Sequence, residues 1–109
     1  MYVVRRVWDV KPSEARLAAS LVDAMGRDYE ATGKRSPSRV YFNNGTLPGD
    51  RYRVYMEWTE ETIDSPYRND QIESSEEARR LYAKLRELTV DSWIEFYELL
   101  TPEKAMPTD

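Results

Sequence analysis

Apolar residues along this chain recur with two spacings, one typical of β-strands and one typical of amphipathic helices. Over 52–59 they fall at every second position, whereas two longer stretches carry them every three or four positions. The predicted elements are strands at 2–10, 39–43, 52–59 and 92–100 and helices at 13–32 and 74–88. This βαββαβ order predicts a ferredoxin-like α+β fold, a four-stranded antiparallel sheet with both helices on one face.

The ends of the predicted helices carry signals of their own. Pro12 suits a helix start, because the amide hydrogen it lacks would have no partner there. Gly33 suits a helix end, since glycine accepts the left-handed conformation, and Ser74 with Glu77 has the spacing of a capping box. The predicted buried stripes are Ala18, Leu21, Val22, Met25 and Tyr29, then Ala78, Leu81, Tyr82, Leu85 and Leu88.

Residues 60–73 have no clear period, are acidic and contain Ser65-Pro66. A connection of this length is often functional. Two interpretations are open: a lid over a pocket, with Tyr67 inserted into it, or an arm that grips a partner subunit.

Composition narrows the class of protein. A chain of 109 residues predicts one domain, here 1–101 with a tail over 102–109. A net charge of −4 argues against a nucleic-acid partner, and no apolar run is long enough for a membrane span or a signal peptide. We expect a cytoplasmic protein.

The chain contains neither cysteine nor histidine. This excludes thiolate nucleophiles, histidine general bases and the usual transition-metal ligands. We therefore predict no metal site and no cofactor.

Strand alternation sorts the side chains onto two faces of the predicted sheet. On the third and fourth strands we expect Val54, Met56, Ile94 and Phe96 under the helices. The first strand is ambiguous because Arg5 and Arg6 must face opposite sides, and we place Arg6 with Trp8 on the side away from the helices. That side, called the open face below, then collects Arg6, Tyr41, Asn43, Arg53, Tyr55, Glu57, Trp93, Glu95 and Tyr97.

Aromatic residues rarely crowd a sheet surface that nothing covers. Aromatic side chains together with arginine are typical anchors of protein interfaces. We therefore predict a homodimer in which a second copy of the chain covers the open face.

Two carboxylates on the open face are the candidate catalytic groups, Glu57 and Glu95. One interpretation gives one of them a raised pKa and the role of a base; the other makes both salt-bridge partners of Arg6 or Arg53. The candidate ligand-binding residues are Arg6, Tyr41, Asn43, Tyr55, Trp93 and Tyr97. Trp58 and Trp93 could stack on a flat ligand or simply pack in the core or the interface.

The layout resembles that of the dimeric α+β barrel superfamily, which includes antibiotic-biosynthesis-monooxygenase-like, NIPSNAP-like and EthD-like proteins. The likeness rests on the first strand ending in Val10-Lys11-Pro12, the helix that follows at once, and the strand end Tyr55-Met56-Glu57-Trp58. It implies this fold and a dimer. Relatives that act on haem or as cofactor-free oxygenases place asparagine, tryptophan and histidine around a pocket. The asparagine and tryptophan positions could be matched here by Asn43, Asn44, Trp58 and Trp93. The chain has no histidine to match the remaining position.

Three functions are compatible with these residues. The first is a domain with a packed dimer interface and little pocket. The second is a cofactor-independent oxygenase, isomerase or cyclase acting on a small aromatic or polyketide-like compound, and the third is a ligand-binding regulatory module. A pocket of roughly 300 Å³ or more, between sheet and helices or at the dimer interface, would favour the second or third function. A packed interface would favour the first.

Overall fold

The strands of the sheet lie in the order β2-β3-β1-β4, all antiparallel to their neighbours. The computed structural model describes residues 1–33, 36–63 and 75–109. Its elements are β1 (Tyr2–Val10), α1 (Ala15–Ala31), β2 (Arg39–Asn43), β3 (Arg53–Glu60), α2 (Glu76–Leu88) and β4 (Thr89–Glu98). The predicted ferredoxin-like α+β fold is therefore confirmed.

One face of the sheet carries the hydrophobic core. Val4 and Trp8 from β1 pack there with Val54, Met56 and Trp58 from β3. The helices complete this core with the following residues: Ala15, Ala18, Ala19, Leu21, Val22 and Met25 from α1, and Leu81 and Leu85 from α2. Each large apolar side chain buried in this way stabilises the fold by about 1.5–3 kcal/mol.

The helices do not cover all four strands equally. Helix α1 packs on β2 and β3 and against α2, so the edge strand β4 is left at the margin of the core. Ile94 and Phe96 point to the helix side, as predicted, but each remains 46% exposed. The prediction that they are core residues is wrong, because alternation assigns a side chain to a face and does not tell whether that part of the face is covered.

Helix starts differ from the prediction in their capping groups. The Oδ1 atom of Asn44 accepts a 3.1 Å hydrogen bond from the Ala15 amide and so caps α1 from a distant loop. In α2 the cap is Ser75, whose hydroxyl accepts from the Ala78 amide at 3.0 Å. The predicted pairing of Ser74 with Glu77 is thus replaced by a cap one residue later, and Ser74 itself lies outside the described residues.

Strand β4 begins three residues earlier than predicted, immediately after α2. Its pairing with β1 shifts register between Asp9 and Val10, which lets Val10 pair with Thr89. The Thr89 hydroxyl also donates to the Leu85 carbonyl at 2.8 Å, which joins the helix end to the strand start. Such an irregularity depends on the partner strand and is invisible in the local alternation of β4.

Two further predictions concern residues 60–73 and membranes. Most of that segment, with Tyr67, lies outside the described residues, so the lid and the arm both stay predictions. Within the parts of the chain that the structure describes, no helix has the length and apolar character needed to cross a membrane.

Candidate functional site

Arg5 is the centre of the open face. It lies on β1 between Glu57 on β3 and Glu95 on β4 in the strand register. Its Nε and Nη2 atoms donate to Glu95 Oε1 at 2.9 and 2.6 Å, and its guanidinium lies 4.9 Å from the ring centre of Tyr55 and 5.9 Å from that of Tyr97. One arginine therefore joins three strands by an ion pair and two cation–π contacts.

Glu95 receives three side-chain donors. The Trp93 indole donates to its Oε2 at 2.7 Å, and the Tyr97 hydroxyl and Arg5 donate to its Oε1. These hydrogen bonds, with the nearby charge of Arg5, lower the pKa of Glu95 to about 2. The carboxylate is therefore fully ionised near neutral pH.

Glu57 is held in a similar way on the other side of β1. Burial opposes its ionisation, but hydrogen bonds from Arg39 at 2.6 and 3.0 Å and from the Tyr41 hydroxyl at 3.0 Å outweigh burial and lower its pKa. Tyr41 also stacks on Tyr55, with ring centres 4.9 Å apart. The interpretation of Glu57 or Glu95 as a base requires a raised pKa. The pKa of each of these carboxyl groups is lowered instead.

The third arginine of the open face is Arg53. It donates to Asp9 Oδ1 at 2.6 Å and to Asp50 Oδ2 at 2.6 Å, and it lies 5.0 Å from the Trp93 ring centre. Arg53 and Arg39 thus repeat the pattern of Arg5, in which an arginine is paired with a carboxylate and lies over an aromatic ring, although Arg39 over Tyr41 is more distant at 6.0 Å.

Arg6 lies on the helix face, and the prediction that it joins the open face is wrong. Val4 and Trp8, which share its parity on β1, are both core residues. The signal for this was available: Tyr2, Val4, Trp8 and Val10 are all apolar or aromatic, so the even positions of β1 were the better candidates for the core. Arg5, which the prediction left aside, takes the central place on the open face.

Arg6 differs from the other strand arginines in having no charged partner among the residues that the structure describes. Its guanidinium lies 5.2 Å from the Trp8 ring centre, and among the described residues no side chain or carbonyl accepts a hydrogen bond from it. Its Nε atom is fully covered by protein and still unsatisfied. Buried donors without acceptors are uncommon in folded proteins.

A cleft of about 280 Å³ opens on the helix face between α2 and β4. Its lining residues are Trp8, Tyr82, Leu85, Arg86, Thr89 and Ser92. Trp8 lines this cleft and also contacts the Arg6 guanidinium, but Arg6 itself is not among the lining residues. The cleft exists because β4 extends past the cover of the helices, the same feature that leaves Ile94 and Phe96 exposed.

Asn43 and Trp58, two other candidate ligand-binding residues, have structural partners. The Asn43 amide nitrogen donates to the Leu47 carbonyl at 2.9 Å, and its Oδ1 accepts from the Gly45 amide at 2.9 Å. It therefore shapes the loop between β2 and β3. Trp58 is a core residue whose indole donates to Glu60 at 2.9 Å.

A larger and more open depression of about 490 Å³ lies at the other end of β3. It is lined by Met1, Gly33, Ser36, Thr59, Glu60, Glu61 and Thr62. Within the described ranges, its charged side chains are those of Glu60 and Glu61, and no aromatic ring lines it. Of the two depressions, the cleft between α2 and β4 has the better chemistry for holding an organic molecule, although it is smaller.

The arrangement of strands and helices matches solved structures over almost the whole chain. An uncharacterized NIPSNAP-like domain protein from Burkholderia xenovorans aligns with 97% of this chain and 90% of its own, at 21% identity and a TM-score of 0.68. A NIPSNAP family protein from Agrobacterium tumefaciens covers 93% of both chains at 18% identity and a TM-score of 0.66. The chain has the fold of the NIPSNAP-like proteins.

An antibiotic biosynthesis monooxygenase also shares this fold, with 13% identity, a TM-score of 0.62 and coverage of 93% of this chain and 100% of that one. The predicted resemblance to these groups is thus confirmed at the level of the fold. No protein-family model matches the sequence, and no curated protein matches it either. At such low identities the likeness shows the fold, and any function has to be argued from the residues of this chain.

Proposed function

We propose that the protein is a homodimeric small-molecule-binding domain. In this proposal the open face is the interface between two copies, and the ligand occupies the cleft between α2 and β4. The observation that carries it is a contrast in pairing. Arg5, Arg39 and Arg53 on the open face are paired with carboxylates, whereas Arg6 on the helix face, in contact with the cleft residue Trp8, has no such partner within the described parts of the chain.

Paired charges suit a surface that becomes covered. An ion pair that is already hydrogen-bonded can be removed from water at far lower cost than a lone charge. The aromatic rings of the open face lie over these arginines, and Tyr97 is still 51% exposed. Rings of this kind next to arginine are typical anchors of an interface, and this supports a second copy as the cover.

Binding is better supported than turnover. The oxygenase, isomerase or cyclase alternative requires a general base, and a carboxylate with a lowered pKa is a weak one. Glu57 and Glu95 also have their oxygens occupied by donors from the protein itself. The catalytic roles of these two residues stay predictions, and a regulatory or carrier role fits the cleft better.

Two matched variants on neighbouring residues of β4 test the interface. Tyr97→Lys places a charge on the open face, and Phe96→Lys places the same charge on the other side of the strand, where Phe96 is 46% exposed. We expect the native protein and Phe96→Lys to sediment as dimers and Tyr97→Lys to sediment as a folded monomer. A monomeric native protein, or dissociation by Phe96→Lys alone, would contradict the proposed interface; circular dichroism verifies folding.

A further inference from the structure

We propose that Asn44 is a site of spontaneous deamidation and that the side chain of Asn43 controls the rate of this modification. Asn44 precedes Gly45 in the loop between β2 and β3. The described lining of the cleft between α2 and β4 includes no residue of this loop, so the modification site is separate from the proposed ligand site.

The reaction needs only the Asn44 side chain, the next peptide group and water. The Gly45 amide nitrogen, after giving its proton to hydroxide, attacks the Cγ atom of Asn44. The new bond from nitrogen to Cγ closes a succinimide ring, and the side-chain nitrogen takes a proton from water and leaves as ammonia. Water then opens the ring at one of its carbonyl groups, which gives aspartate or isoaspartate. No atom is oxidised or reduced.

The fold keeps a glycine after Asn44. Gly45 has a φ of +87°, which L residues rarely adopt, and an added Cβ would lie 2.9 Å from the Tyr52 ring. Without a Cβ, the Gly45 nitrogen has no side chain of its own to screen it from Asn44. Residues 44–50 belong to neither a helix nor a strand, and Asn44 is half-buried, so the loop admits both the rotation and the water that the reaction requires.

Helix α1 polarises the group that is attacked. The Oδ1 atom of Asn44 accepts a 3.1 Å hydrogen bond from the Ala15 amide at the start of this helix. Negative charge develops on that oxygen during the attack, and a fixed backbone donor stabilises such a charge as an oxyanion hole does. The positive end of the helix dipole has the same effect. The bond that caps α1 therefore also promotes the reaction.

Asn43 opposes the reaction by holding the attacking group. Its Oδ1 accepts hydrogen bonds from the Gly45 amide at 2.9 Å and from the Leu47 amide at 3.3 Å. The Asn43 side chain is itself anchored, because its amide nitrogen donates to the Leu47 carbonyl at 2.9 Å and the residue is only 9% exposed. The Gly45 nitrogen must leave this acceptor and lose its proton before it attacks, so Asn43 slows the modification.

The test follows the peptide that contains Asn44 by mass spectrometry while the protein is kept in warm, mildly alkaline buffer. Deamidation raises the mass of that peptide by the difference between an amide and a carboxyl group. The native protein is compared with Asn43→Ala, which removes the acceptor, and with Asn43→Ser, whose hydroxyl oxygen can still accept from the Gly45 amide. Asn44→Gln is the matched control, because its longer side chain closes the corresponding ring far more slowly.

We expect Asn44 to convert in the native protein and to convert about five-fold faster in Asn43→Ala, as the loss of one ordinary hydrogen bond implies. Asn43→Ser should give a smaller acceleration, and Asn44→Gln should show no conversion at position 44. Circular dichroism verifies folding, and the comparison rests on Asn43→Ser if Asn43→Ala does not fold. Native Asn44 that stays intact while urea-unfolded protein converts fully would overturn the site. Equal rates in the native protein and the folded Asn43 variants would overturn the role of Asn43.

Discussion

Arg5 and Arg6 are adjacent in the sequence and lie on opposite faces of the same strand, and their surroundings have almost nothing in common. Arg5 is paired with Glu95 and lies over two tyrosine rings. Arg6 lies over Trp8, and its covered Nε has no acceptor among the described residues. Arg5, Arg39 and Arg53 on the open face are thus paired with carboxylates, whereas no carboxylate among the described residues pairs with Arg6 on the helix face. The comparison teaches that an arginine is not a candidate ligand site by residue type alone. Whether its donors are already bonded to carboxylates of the protein must also be known.

The largest expected effect is a difference in stability between two glutamine variants. Arg5→Gln should lower the free energy of unfolding by about 2 kcal/mol, because Glu95 loses a charge-assisted hydrogen-bonded partner. Arg6→Gln should lower it less, by about 0.5–1 kcal/mol, since the interaction lost is the cation–π contact with Trp8. Urea titrations followed by circular dichroism measure both, and equal losses would contradict the contrast between the two faces.

A smaller effect is expected in the dependence of stability on pH. The pKa of Glu95 is about 2 in the folded chain against an ordinary value of 4.5, so the folded state binds the Glu95 proton less readily than the unfolded state. The stability contributed by Glu95 is therefore complete above the unfolded value and is lost as the pH falls from there through about 2.

Thermal unfolding of the native protein and of Glu95→Gln across this acidic range checks the effect. Glu95→Gln should flatten the decline of stability below neutral pH. Glu98→Gln is the matched control, because Glu98 is on the same strand and has only a 3.7 Å ion pair with Lys104. A slope that Glu98→Gln alters more than Glu95→Gln would show that the Arg5 network is not the source of the acid sensitivity.

The smallest expected cost is that of changing an apolar side chain on the uncovered part of the helix face. Ile94→Thr should cost less than about 0.5 kcal/mol of unfolding free energy, because the side chain is already in contact with water. Val4→Thr, on the neighbouring strand β1 and only 2% exposed, should cost about 1–3 kcal/mol for burying a hydroxyl group. Similar costs in urea titrations of the two variants would mean that β4 is covered in solution, which would place the dimer contact on this side.

The order of elements and most open-face assignments could be predicted from the chain alone. Alternation on β3 predicted Tyr55 and Glu57 on one face of the sheet and Val54 and Met56 on the other. The structure confirms this assignment. The alternation of β1 was misread, because the two adjacent arginines give no parity signal by themselves, whereas the apolar Val4, Trp8 and Val10 indicate that the even positions face the core. Alternation could not foresee the cap from Asn44 to Ala15, since that contact joins a loop and a helix 29 positions apart.

The sequence by itself determined which residues form strands and helices and, for three of the four strands, which face each side chain takes. Periodicity carries this information because every element must bury one side. Only the tertiary structure decided which cation meets which carboxylate, because the bond from Arg5 to Glu95 spans 90 positions and depends on the register of two strands. It also decided that β4 extends beyond the cover of the helices, and this geometry creates the cleft between α2 and β4.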